Sequence, residues 1–100
     1  MSKTKPRLSQ ESAEAAFWRQ GGWCAAGCGR RAEVNHHVFS QQRWPEFVDE
    51  ETNIVQLCHD CHANHHTAMH RLPRVVARHA ERLAVTPQQQ DWLTRVYGRR

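Results

Sequence analysis

Apolar positions in this 100-residue chain change their period several times, and each change marks an expected element. Residues 11–20 favour helix, with Ala15, Ala16 and Trp18 available for packing behind Ser9 as N-cap, until Gly21-Gly22 ends the pattern. Next comes Trp23-Cys24-Ala25-Ala26-Gly27-Cys28-Gly29, where the glycines permit a tight turn that points both sulfurs inward. Residues 32–39 and 54–57 read as strands separated by a long loop with Trp44-Pro45 and the acidic run Asp49-Glu50-Glu51, so they are expected to pair as a hairpin. No proline or glycine follows Leu57 until Pro73, which predicts a helix there. Pro73 fits the first turn of a further helix reaching about Ala84. Thr86-Pro87 supplies the N-cap and first position of a last one through Trp92, Leu93 and Val96. Residues 1–8, polar and basic, read as a disordered arm.

Composition changes this picture in one respect. Leu, Ile, Val and Phe number only 17, a thin core for a single small α+β domain, so something besides aliphatic burial is expected to support the fold. Four cysteines and eight histidines, seven of them between His36 and His70, point to metal. The polar N-terminal stretch and the lack of a long apolar run lead to the expectation of a cytoplasmic protein without a membrane segment. In that reducing compartment paired cysteines are metal ligands rather than disulfides. Cys24-x3-Cys28 and Cys58-x2-Cys61, 29 residues apart, can converge on one tetrahedral zinc ion if the hairpin joins their segments. Four protein ligands leave no place for substrate, so this Zn2+ is structural. Cys58-His59-Asp60-Cys61-His62 also fits the C-x-x-C-H pattern of covalent haem, but that reading leaves the second cysteine pair and the histidine excess unexplained.

On an ideal helix starting at Cys58, Cys61 and His65 fall within about 60° of it, while His62 and His66 lie near roughly 40° and 80°, one turn apart. One element can therefore offer cysteines to one ion and an i, i+4 histidine pair to another. Together with His36-His37 on the first strand and Asn53 before the second, the chain resembles the HNH nuclease family. The matching segments are VNHHVF from Val34 and TNIVQLCHDCHANHH from Thr52. The resemblance spans Cys24 to about His66 and includes the two cysteine pairs seen in many members. It implies a zinc-stapled ββα-metal core over residues 23–70 within a single domain of residues 9–100, flanked by an N-terminal helix and basic C-terminal helices over 73–98.

By the same resemblance His36 is the first metal ligand, His37 the general base, Asn53 the central asparagine that orients the histidine loop, and His62 and His66 the helical ligands. His65 is the rival to His66. His59, His70 and His79 match no position of the motif and read as surface residues or phosphate contacts. Phosphodiester hydrolysis needs a water deprotonated beside phosphorus and a cation over the departing 3′ oxygen, and histidine suits the first task near neutral pH. Neighbouring strand residues face opposite ways, so His36 and His37 serve one site only if the backbone twists or bulges there. Three imidazoles without a carboxylate make a softer catalytic site, favouring Zn, Ni, Co or Mn over Mg.

Charge is segregated: residues 41–60 carry a net −4, and residues 71–100 a net +5. Arg71, Arg74, Arg78 and Arg82 follow a 3-4-4 spacing that lines one stripe of a helix, a suitable phosphate track. The expected partner is DNA, double-stranded by family resemblance, with the C-terminal helices also available for a homodimer or a protein partner. A non-catalytic zinc-finger DNA-binding protein on the same scaffold is the alternative, and a zinc-dependent interaction module a third reading.

Overall fold

Ser9 starts the first helix as the sequence predicts. In the computed structural model, which describes residues 7–63 and 75–98, its hydroxyl accepts from the Ser12 amide at 3.1 Å and α1 spans Gln10–Gln20. Gly21 closes it at φ 69°, a left-handed position that a side chain rarely adopts, and donates its N–H to the carbonyls of the last turn. β1 (Val34–His37) and β2 (Ile54–Leu57) form a two-stranded antiparallel sheet with Val34 opposite Leu57 and His37 opposite Ile54. The hairpin is thus present. The predicted first strand of residues 32–39 is trimmed at both ends: the Ala32 amide donates to the Gly22 carbonyl and the Phe39 amide to the Asn53 side chain.

Two strands leave β2 with an open edge, and α1 covers it. The Gln20 side-chain amide pairs with both backbone groups of Gln56, accepting its N–H at 2.7 Å and donating to its carbonyl at 3.0 Å. Arg19 donates to the Ile54 carbonyl and to both the carbonyl and the carboxylate of Glu51. Backbone groups that would otherwise template aggregation are satisfied. The helix therefore docks through polar groups, with Ala16 as its buried apolar residue among the described positions. Trp18, expected to pack, is exposed.

The short helix α2 (His59–Ala63) follows β2 directly, completing a strand–strand–helix order. Its predicted extension through His65, His66 and His70 lies outside the described residues. Downstream, α3 (Val75–Arg78) is followed by a turn and a 3-10 segment at Glu81–Leu83. The single helix expected through Ala84 is therefore broken. Ala80 and Leu83 bond three residues back, to Ala77 and Ala80, and the chain is then pulled round by Gln89, whose Oε1 accepts from both Val85 and Thr86. Thr86 and Gln89 form a reciprocal capping box that starts α4 (Pro87–Leu93), and Thr94–Gly98 continues it as a wider π-turn.

The main core packs Val38, Phe39 and Trp44 from the hairpin with Val76, Ala77 and Ala80 and with Leu93 and Tyr97. The C-terminal helices thus cover the sheet. A second, smaller cluster gathers Cys24, Leu57 and Cys58, with Ala25, Ala26 and Cys61 against it. The molecule is a small α+β fold, and none of its described helices is long and apolar enough to cross a membrane.

Candidate metal centre

The first cysteine pair sits at the tip of a narrow loop closed by a bridge between Trp23 and Arg31. Inside it the Gly27 amide donates to the Cys24 carbonyl at 3.1 Å, with Gly27 at φ 78° making the reversal possible. The Cys24 amide donates to Arg30, and the Ala25 amide to Gln56 on β2, which ties the loop to the strand that leads into Cys58. Cys61 then follows within the first turn of α2. All four cysteines are free thiols whose sulfurs lie within 4.8 Å of one another, Cys28 and Cys58 at 3.6 Å. Tetrahedral bonds of about 2.3 Å to zinc put sulfurs roughly 3.8 Å apart, so the donor set has the size and softness of a zinc site.

Charge supports the same assignment. Burial opposes ionisation of Cys58, yet the Cys61 amide, at 3.4 Å from its sulfur, and the neighbouring thiols draw its pKa down to about 7. Burial pushes Cys61 up to about 12, and the adjoining sulfurs add to the rise. One thiolate forms readily here, whereas several ionised sulfurs at this spacing need a cation among them. Cys24, Cys28, Cys58 and Cys61 are therefore positioned to hold a metal ion, as the spacing predicts.

The histidines are arranged differently. His36 is 6% exposed, and its ring stands edge-on to that of His62 with centroids 5.7 Å apart. Among the described residues the cysteine set is the group of metal-ligand side chains brought together; His36 and His62 meet as an edge-on ring pair. His66, the third predicted ligand, lies outside the described residues. His37 turns to the other side of β1, where its Nε2 lies 2.9 Å from the Val48 carbonyl. A carbonyl only accepts, so Nε2 carries the proton and neutral His37 keeps its lone pair on Nδ1. No bulge separates the two: the register runs unbroken from Val34 to His37, and the Val38 amide still donates to Asn53. The backbone distortion considered from sequence is absent from β1, and alternation sends the two rings to different partners.

Asn53 is fully buried and bridges both arms of the interstrand loop. Its Oδ1 accepts from the Phe39 amide at 2.7 Å, and its Nδ2 donates to the carbonyls of Phe39 and Phe47, each at 3.1 Å. The loop so fixed includes Val48, the partner of His37. Sequence reasoning missed Tyr97, a buried residue whose hydroxyl lies 2.9 Å from His36 Nε2. Its lone position in the C-terminal segment carries no motif that could have flagged it.

Of the arginine track, Arg71 and Arg74 lie outside the described residues. Arg78 and Arg82 are both exposed, but Arg78 ends α3 and Arg82 sits in the next 3-10 segment, so no continuous helix aligns them. His59 is exposed at the start of α2 beside Glu33, and His79 is half-buried. Comparison with family models, curated proteins and solved structures gives no match.

Proposed function

We propose that this chain is a metal-dependent endonuclease of the HNH type that hydrolyses DNA phosphodiester bonds on a zinc-stapled ββα-metal core. The observation that carries the reading is the approach of His36 on β1 to His62 on α2, ring centroids 5.7 Å apart, next to a strand whose following residue is His37. Imidazoles from two separate elements meet here in a chain whose four cysteines are positioned to hold a metal of their own. His36 and His62 would hold the catalytic divalent ion, with His66 as the third ligand implied by the motif. Such an ion, when bound, would supply positive charge to stabilise the reacting phosphate.

The remaining work falls to the chain's own groups. His37 donates Nε2–H to Val48, which leaves Nδ1 as its accepting nitrogen; on the regular strand it lies across β1 from the His36–His62 pair, so acting as general base at that ion requires β1 to twist when substrate binds. Asn53 holds Phe39 and Phe47 and so steadies the loop that carries the Val48 carbonyl. Exposed Arg78 and Arg82, with Arg71 and Arg74 nearby in sequence, supply positive charge for a phosphate backbone.

Supercoiled-plasmid cleavage with a panel of divalent ions tests the reading. Wild-type protein should nick or linearise the plasmid in an ion-dependent way. His37→Ala should lower the rate about 10²–10⁴-fold while leaving DNA affinity and metal content unchanged. Binding without cleavage under every ion points instead to a DNA-binding zinc protein.

A further inference from the structure

A tryptophan left in water forfeits a large apolar area, and α1 with the loop that follows it leaves two of them there. Trp18 is 75% exposed and Trp23 55%, one on each side of the Gly21-Gly22 turn that ends the helix. Phe17 joins them: its ring stands edge-on to Trp18 at 5.4 Å and lies against Gly22, where a Cβ would come within 3.2 Å of it. None of these three rings belongs to the core clusters.

Trp23 is firmly anchored. Its backbone pairs with Arg31 in an antiparallel bridge, its amide donates to the Gln20 carbonyl at 3.5 Å, and its own carbonyl accepts from the Gln20 side chain at 2.8 Å. A directly opposed pair sends both side chains to one face, and the Arg31 guanidinium accordingly stands over the indole, 5.9 Å from its centroid. The other charges nearby are committed elsewhere. Arg19 is paired with Glu51 and Arg30 with Asp60, while Glu33, the nearest acid in sequence, accepts from the His59 amide at 3.2 Å. Among the described residues no carboxylate pairs with Arg31. Residues 24–29, between the two arms of the bridge, carry no side chain larger than a thiol, so the loop has nothing large to fold over the ring.

We propose that Trp23 and Arg31 form a stacking platform for an unpaired nucleotide of a nucleic-acid strand, the base lying on the indole and its phosphate on the guanidinium. A base inside a duplex has both faces covered, so a ring held on a loop can stack only where a base is unpaired, in a single strand, a flap or an overhang. Every base has a π-face, and a neighbouring arginine adds charge for the phosphate. A ring already fixed loses little freedom on binding, and the three backbone contacts of Trp23 supply that rigidity. A protein partner fits less well, because anchoring side chains fill pockets and this surface is a ring beside a loop of alanine and glycine. The inference uses none of the histidines and stands whether or not the chain cleaves DNA.

The test reads the fluorescence anisotropy of labelled oligothymidylate, oligouridylate and a fully paired DNA duplex with the full zinc-loaded chain and no added divalent ion. Trp23→Ala should weaken binding of a single strand about 5–150-fold and of the duplex by less than about threefold, and Trp23→Phe, which keeps a flat ring, should restore most of the loss. Arg31→Gln should also weaken it and flatten the logarithmic salt slope by about 0.7. Zinc content and melting check the fold of each variant. A wild-type readout stands apart from them: a strand carrying 5-bromodeoxyuridine, irradiated on the native chain, should attach to Trp23. Loss with either oligothymidylate or oligouridylate supports the platform and tells DNA from RNA. Unchanged affinity in Trp23→Ala, equal loss for strand and duplex, cross-links confined to other residues, or a strand bound no tighter than polyglutamate of equal charge overturns it. None of these outcomes touches the cleavage reading, which the plasmid assay decides.

Discussion

The cysteine cluster and the histidine region meet on α2, which carries Cys61 and His62 side by side, yet they are built in opposite ways. Each cysteine pair is made local by its own turn, and the loop of the first is pinned to β2 by the bond from Ala25 to Gln56. The sulfurs then converge with little help from the rest of the chain. His36 and His37 instead face opposite sides of one strand, and their rings are held by distant groups, Tyr97 and the Val48 carbonyl. A site assembled from short spacings serves to support the fold, whereas one assembled from long-range contacts can be tuned, or lost, without the fold going with it.

Breaking the first region should therefore have the largest effect. Cys58 is buried in the small cluster with Cys24 and Leu57, and Cys58→Ser removes a soft thiolate from the set positioned to hold zinc. The zinc of small metal-stapled domains contributes about 10–16 kcal/mol of apparent binding energy to folding, more than a chain with so few aliphatic residues can replace. Cys58→Ser should show no cooperative thermal transition and no stoichiometric zinc by elemental analysis, and prolonged chelation should do the same to wild type. A variant with unchanged melting and metal content removes the zinc assignment.

The second region should break more gently and leave the first intact. Asn53→Ala strands the Phe39 amide and deprives two carbonyls of their donor inside the protein, where each unsatisfied group costs about 1–3 kcal/mol. For the three groups together this is about 3–9 kcal/mol, which at roughly 4–8 °C per kcal/mol lowers the Tm of a domain of this size by at least about 12 °C. Zinc content should stay stoichiometric in calorimetry of the loaded protein. Loss of zinc in this variant erases the contrast, because it makes the two regions one cooperative unit.

The same contrast explains what could be read from the chain. The cysteine site was legible because ligand spacing is a local property, and so were α1, the hairpin and the Thr86-Pro87 start of α4, each announced by a cap or a turn. The exposure of Trp18 was hidden because α1 docks through Gln20 and Arg19, polar side chains that no apolar pattern reveals. The break after Arg78 was hidden too, since it depends on Gln89 capturing Val85 and Thr86 from further along the chain. Tyr97 illustrates the limit most clearly: its partner is 61 residues away, and a π-turn decides where its hydroxyl goes.

The finest test separates acid effects on the cysteine cluster from those on a histidine outside it. His79 lies just past α3, half-buried, and its pKa is lowered first by burial and then by the Arg19 charge, with Arg78 and Arg82 acting the same way and Glu51 opposing them. A cationic group with a lowered folded pKa binds more protons when unfolded, so its contribution is complete above the ordinary value of 6.5 and is lost as pH falls from there through the folded value. His79→Gln cannot titrate. Wild type and variant should keep a constant difference in Tm from pH 8 down to about 6.5, and below that the variant should lose stability less steeply. Metal release by acid is common to both proteins and cancels in the difference. A difference that stays constant to pH 5.5 assigns the whole acid sensitivity of the fold to its thiolates and the remaining histidines.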